Sequence, residues 1–229
     1  MPSYFIALTA VSCCRILSSG WNPQKNVEVI IDPLCGSGTV PIEAALIMAN
    51  TAPGLVRYNT DRKIPCPAQW LDIDEQHWKD SNVDAVAADQ RIYLKERLKK
   101  PLIFANDIND KALALAKLAA KEAGVLNLIS FSQQCVSRLP HPDVYKPLPK
   151  TPVKVITNPP WDRRLDDSTK GSWRQLNVFL RKLKGTANIL SGDTSLFRYL
   201  DSYEDVGKMP MKIGNVDVEA RSFAMHSIL

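Results

Sequence analysis

Metal-binding and disulfide patterns are missing from this chain of 229 residues. Its five cysteines, Cys13, Cys14, Cys35, Cys66 and Cys135, include no CxxC pair, and its three histidines, His77, His141 and His226, are scattered. Zinc sites draw their ligands from close pairs, so no metal site is expected. An odd cysteine count without scaffold spacing points to a reducing compartment. An intracellular location is expected, the cytoplasm favoured, with an organelle or the nucleus left open. The apolar stretch from Tyr4 to Leu17 is too short to span a bilayer. No basic residue precedes it, and Ser12, Cys13, Cys14 and Arg15 interrupt it, so a core-packing helix is favoured over a targeting segment. No internal repeat or low-complexity tract is present. No membrane association is expected.

What is there has ordinary globular proportions. Apolar residues make up 45% of the chain and charged residues 23%, and a chain of this length can bury one good core. The formal charge of +5 fits a nucleic-acid partner without demanding one.

Two short segments carry most of the information. The first, Asp32-Pro33-Leu34-Cys35-Gly36-Ser37-Gly38-Thr39, follows the apolar run 27–31; the second, Asn158-Pro159-Pro160-Trp161, follows the run 153–157. Both runs read as buried strands. The first segment is a glycine-rich turn from strand into helix, where backbone can approach a cofactor closely. It lacks the third glycine of a dinucleotide fingerprint, since Pro41 stands there, and no Gly-Lys-Ser/Thr follows as a phosphate loop requires. A purely structural strand–helix turn is the alternative. The second segment places a carboxamide, a rigid Pro-Pro step and an exposed indole at a strand end, or else is a surface turn. Asp107, at the tip of the strand near 102–105, can accept two hydrogen bonds from vicinal hydroxyls of a ribose, or cap the helix after it.

Together the two segments resemble the cofactor and catalytic loops of S-adenosylmethionine-dependent methyltransferases acting on exocyclic amines of nucleobases. The resemblance implies a cofactor site formed by Asp32, Cys35, Gly36, Ser37, Gly38, Thr39, Asp107, Ile108 and Cys135. In it Asp32 lies near the methionine portion or stabilises the turn, Ile108 stacks on adenine, and Cys135 replaces the acid that usually accepts from the adenine amine. In the catalytic loop, the Asn158 side-chain oxygen and the Pro159 carbonyl would accept the hydrogens of the target amine, aiming its lone pair at the methyl group. Pro159 and Pro160 would stiffen the loop, and Trp161 would offer the flipped base a face. Arg163 and Arg164 could hold flanking phosphates. The basic runs 91–100 and 181–184 read as solvated helix faces more than as RNA contacts.

The chain as a whole resembles one family more closely. Ser19-Gly20-Trp21, the glycine turn, Ile42-Glu43-Ala44-Ala45, Ala52-Pro53-Gly54 and Asn158-Pro159-Pro160-Trp161 are similar to the methylase domain of the RlmL-type large-subunit rRNA guanine-N2 methyltransferases, THUMP-associated RNA methylases. That resemblance implies methylation of RNA, rRNA favoured over tRNA, to give N2-methylguanosine. Adenine-N6 or glutamine methylation, and an inert methyltransferase fold serving assembly, stand as alternatives. Trp161-Asp162 departs from the more usual Tyr-Gly. No THUMP domain precedes the fold in this sequence, so an attached domain or a partner chain is expected to supply RNA targeting.

The expected architecture is α/β: a Rossmann-like, mostly parallel seven-stranded sheet with a C-terminal antiparallel hairpin. One domain is expected over 1–229. It has an N-terminal helix at 4–19 within the lead-in 1–26, Thr39 capping a helix to about residue 50, and an irregular insertion at 51–84. A polar helix follows at 84–99, then helices at 112–123, 172–184 and 194–201, and final strands at 208–213 and 216–225.

Overall fold

Short runs of β-branched and aliphatic residues build the sheet. The computed structural model describes residues 19–23, 25–52, 55, 74–161, 167–200, 203–213 and 215–225. Its strands are β1 (Val29–Asp32), β2 (Ile103–Asn106), β3 (Ile129–Ser132), β4 (Val153–Thr157), β5 (Gly185–Ser191), β6 (Glu204–Ile213) and β7 (Val216–Met225). They lie side by side in the order β3-β2-β1-β4-β5-β7-β6. The first five pair parallel, and β7 runs antiparallel between β5 and β6. The edge strand β6 carries Lys208, Pro210 and Lys212 and a register shift between Asp205 and Gly207, features that discourage further pairing at an open edge.

Alternation along the strands supplies a core on each face. Ile30 and Ile156 point into one core with Ala44, Ala45, Leu113 and Ala120. Their neighbours Val29, Ile31, Val153 and Val155 point into the other, with Trp173, Leu176, Phe179 and Phe197. Helix α1 (Thr39–Met48) is buried on nearly every side, which suits its Val-Pro-Ile-Glu-Ala-Ala-Leu sequence. The helices α2 (Glu75–Ala88) and α3 (Arg91–Arg97) are polar and mostly exposed. Helix α4 (Asp110–Glu122) buries Leu113, Ala116 and Ala120, one face at helical spacing. Helix α5 (Asp167–Leu180) does the same with Trp173, Leu176 and Leu180.

Several expectations are refined by this arrangement. Gly38, left-handed at φ 83°, is the N-cap of α1, and Thr39 is its first helical residue with no side-chain cap. The polar segment forms two helices, and α2 begins inside the span expected to be irregular. They break at Asp89, whose carboxylate accepts from the Arg91 backbone and guanidinium and from Thr51 Oγ1. Asn109, not Asp107, caps α4, accepting from the N–H groups of Lys111 and Ala112. The expected helix at 194–201 is a 3-10 segment, Thr194–Leu200. The helix expected at 4–19 and Gly214 of the hairpin turn lie outside the described residues, apart from Ser19.

Candidate active site

The sheet order reverses between β1 and β4: the chain leaves β1 for β2 and β3, then returns to β4 on the other side. Ligands of open α/β sheets bind outside the carboxyl ends of the strands at such a switch point. The glycine turn leaves the end of β1 and the Asn-Pro-Pro-Trp loop leaves the end of β4, so the sheet brings both segments to one crevice.

The glycine turn is held by the neighbouring strand. Gly36 N–H donates to Asp107 Oδ2 at 2.8 Å, and Cys35 N–H donates to the Asn106 carbonyl at 2.8 Å. The other Asp107 oxygen accepts from Asn109 N–H at 2.9 Å. A Cβ at Gly38 would lie 2.8 Å from Cβ and 3.2 Å from Cα of Ala116, so the α1 terminus approaches α4 as only glycine permits. Asp32 is 1% exposed and its Oδ1 accepts from Leu34 N–H, the turn-stabilising arrangement. Burial, then the charges of Asp32 and Asp107, pushes the Cys35 thiol far above the ordinary range, so it behaves as a small apolar side chain. Ser37 is exposed and Thr39 half-buried.

Asn106, absent from the expected site, is its hub. Only 2% exposed, it donates from Nδ2 to the carbonyls of Pro33 and Gln134, and its Oδ1 accepts from Gln134 N–H and Ser132 Oγ, all at 2.9–3.0 Å. All four of its hydrogen-bonding positions are thereby used. One side chain locks the turn after β1 to the segment after β3. That segment carries Cys135, half-buried, whose Sγ lies 3.1 Å from both Ser137 Oγ and Gln175 Oε1. The Ser137 hydrogen bond draws its pKa below the usual thiol value against a smaller opposing effect of burial. Ile108 sits beyond Asp107 with 63% of its surface exposed, an apolar side chain at the crevice rim.

The Asn-Pro-Pro-Trp loop is braced by two indoles. Trp161 Nε1–H donates to Asn158 Oδ1 at 2.8 Å, and the buried Trp173 of α5 donates to the Pro160 carbonyl at 2.9 Å. Trp161 is half-buried against the cluster of Leu190, Val218 and Ala220 rather than exposed. Its ring lies against Gly192, just past β5, where an added Cβ would collide with Cζ3 and Cε3. Pro159 is buried and Pro160 exposed. Trp173 and Gly192 were not expected at the site. The only signals for them are a Ser-Gly step after a strand and an apolar position at helical spacing, both of which occur throughout any α/β protein.

Arg163 and Arg164 lie outside the described residues. In the two basic runs, Lys182 is structural, donating to the carbonyls of Ser137 and Leu139, whereas Lys95, Arg97, Lys99 and Lys100 are solvated. A different pair of cations is concentrated beside the loop's brace. Arg174 and Arg198 both stand over the Tyr199 ring, at 5.6 and 5.3 Å, and belong to the elements that carry Trp173 and Phe197. A cavity of about 450 Å³ lined by Phe197, Arg198, Arg221 and Phe223 includes no residue of either loop. Among the described residues, no helix is long and apolar enough to cross a membrane.

An open, mostly parallel sheet presenting these two loops at its switch point has the design of a Rossmann-like methyltransferase domain. The chain belongs to the family described as the RMKL-like methyltransferase domain, whose model matches residues 9–209. It is 29% identical, over 95% of its length, to the ribosomal RNA large subunit methyltransferase K/L of Alteromonas mediterranea, and spans 30% of that protein. Its fold is similar to that of a possible methylase from Clostridium difficile 630, with TM-score 0.77, 24% identity, and coverage of 96% of this chain and 53% of the other. It is also similar to SMU.472, solved in complex with SAH, with TM-score 0.74, 24% identity, and coverage of 96% and 53%. The chain thus spans about half or less of these relatives.

Proposed function

We propose that this chain is the catalytic domain of an S-adenosylmethionine-dependent RNA methyltransferase that forms N2-methylguanosine in rRNA. One observation carries the reading. The Asn158 carboxamide oxygen is fixed at the switch-point crevice by one N–H donor, and a carbonyl oxygen so engaged keeps a second lone pair for an incoming amine.

The residues around the glycine turn fit the cofactor. Each oxygen of Asp107 receives one backbone N–H, which leaves acceptor capacity for the two ribose hydroxyls. Exposed Ile108 offers an apolar face to adenine, and Cys135 lies at the end of β3 with a polarised thiol. Gly36, Ser37 and Gly38 give a backbone wall with no side chain beyond Cβ–Oγ, and Asp32, Cys35 and Thr39 support it. S-adenosylmethionine, when bound there, supplies the electrophilic methyl group.

The chain's own contribution is positioning. A nucleobase amine is a weak nucleophile because its lone pair is delocalised into the ring. Asn158 Oδ1 and the Pro159 carbonyl, on a proline-stiffened loop, accept its two hydrogens and turn the lone pair out of the ring plane; placement of well-oriented reactants is worth up to about 7–11 kcal/mol of a barrier. RNA is the macromolecular partner. Arg174 and Arg198, with Arg163 and Arg164 just after the loop, are the cations we assign to its phosphates. Such contacts are few, so binding by this chain alone is weak and steeply salt-dependent, and an attached RNA-binding domain or partner chain supplies targeting. The rRNA assignment is supported by the resemblance of the motifs and by the name of the 29%-identical relative, and the guanine-N2 assignment by the resemblance of the motifs alone.

The test is transfer of a labelled methyl group from S-adenosylmethionine to large-subunit rRNA, followed by digestion to nucleosides. Label in N2-methylguanosine supports the reading. Label in N6-methyladenosine replaces guanine-N2 with adenine-N6, and label found only when tRNA or protein is supplied instead of rRNA moves the activity to that substrate. No transfer to any of them, at low salt and with RNA concentrated enough to saturate this chain, refutes enzymatic function.

A further inference from the structure

Trp161 is engaged in a way that a base-stacking platform is not. Its ring is half-buried on the cluster of Leu190, Val218 and Ala220, and rests where Gly192 has no side chain. A Cβ at Gly192 would collide with Cζ3 and Cε3 and stand 2.9 Å from Cη2. The glycine therefore sets the depth at which the ring lies. At that depth the indole N–H meets Asn158 Oδ1 at 2.8 Å.

We propose that Gly192 and Trp161 form a positioning device for Asn158, in which the seated indole fixes the carboxamide with its oxygen facing the reaction crevice. An asparagine carboxamide turns about a broad, two-fold torsion, so its oxygen and its NH2 group compete for the same place. The indole nitrogen is a donor only and accepts nothing. It therefore selects the oxygen and repels the NH2 orientation. Trp173 holds the loop from beneath through the Pro160 carbonyl, so the backbone and the side chain of the loop are fixed by separate indoles. A phenylalanine at 161 could pack on Gly192 but could not make the selection.

The inference rests on the reading that Asn158 accepts from the target amine. The test replaces Trp161 with β-(3-benzothienyl)alanine, which keeps the bicyclic shape and puts sulfur where the N–H was. It is measured beside Asn158→Ala, Gly192→Ala and the double variant that combines Asn158→Ala with the benzothienyl replacement, in single-turnover methyl transfer with S-adenosylmethionine and rRNA. Loss of one neutral hydrogen bond predicts a fall of about tenfold in the transfer rate. KM for RNA and the melting temperature should stay near wild type, with no further fall in the residual rate of the double variant. Gly192→Ala should lower the rate in the same way by lifting the ring. A benzothienyl variant with wild-type rate, while Asn158→Ala is inactive, overturns the positioning device and leaves the Asn158 reading standing. So does a variant whose defect lies in KM for RNA alone, which would make the ring a stacking face. An active Asn158→Ala would overturn the reading beneath both.

Discussion

The loops at the ends of β1 and β4 sit side by side yet are held by different means. The turn after β1 is held by polar groups of the next strand: Asp107 takes the Gly36 N–H, the Asn106 carbonyl takes the Cys35 N–H, and the Asn106 side chain takes the Pro33 carbonyl. The loop after β4 is held by two aromatic N–H groups from apolar clusters, Trp161 on Gly192 and Trp173 in α5. In the first, backbone amides are organised and a carboxylate retains free acceptor sites. In the second, one side-chain oxygen is aimed. A loop that cradles a ligand needs many fixed backbone groups, whereas a loop that acts on one amine needs only a pair of well-directed acceptors.

Substitutions in the two loops should therefore fail differently. The largest effect belongs to Asn158→Ala. Methyl transfer should fall by about a hundredfold or more, the scale on which positioned groups matter. Cofactor affinity and melting temperature should barely move, and calorimetry with the transfer assay checks both. Asn106→Leu should act on the fold instead. It leaves the buried Pro33 carbonyl without its donor, at a cost of about 1–3 kcal/mol, and removes the part-buried bonds to Gln134 and Ser132 as well. Denaturant unfolding should register a loss of about 2–4 kcal/mol, with cofactor affinity falling alongside.

Asp107→Asn is milder. Its amide cannot accept from both Gly36 and the ribose as the carboxylate does, and losing charge-assisted bonds should weaken S-adenosylmethionine binding by about tenfold or more. Equal affinity in calorimetry would move the ribose elsewhere. The smallest effect concerns the two described cysteines. Cys135, its pKa held down by Ser137, should alkylate with a midpoint below the ordinary thiol value of about 8.5. Cys35, its thiol held protonated by burial, should stay inert throughout. Saturating S-adenosylmethionine should slow alkylation of Cys135 severalfold, read by peptide mass spectrometry. Unchanged labelling would separate Cys135 from the adenine.

The same contrast explains what could be read from the chain. The glycine turn was legible because its chemistry is local: Gly36 and Gly38 adopt left-handed backbone within eight residues of a buried strand, and the parallel pairing of β1 to β5 follows from alternating elements. Thr39 was misread as the cap because a left-handed glycine at the cap position satisfies the same geometry without a side chain. Asn158 and its prolines were legible as a motif. What holds them was not, because Gly192 is 34 positions from Asn158 by residue number and becomes relevant only when β4 and β5 pair. The exposed indole expected at Trp161 was wrong for the same reason: the cluster of Leu190, Val218 and Ala220 that half-buries it comes from β5 and β7. Asn106 sits at the end of a strand, where an asparagine reads as a turn former, and only the parallel neighbours β1 and β3 turn it into a hub.

The central claim is that the two loops form one methyl-transfer site. Titration of S-adenosylhomocysteine, the demethylated cofactor, into isotope-labelled protein tests it most directly. Backbone amide resonances of Gly36 and Gly38 and the side-chain amide of Asn158 should shift together along one saturable binding curve. Shifts confined to the cavity between Phe197 and Arg221, with Gly36, Gly38 and Asn158 unmoved, would contradict the account.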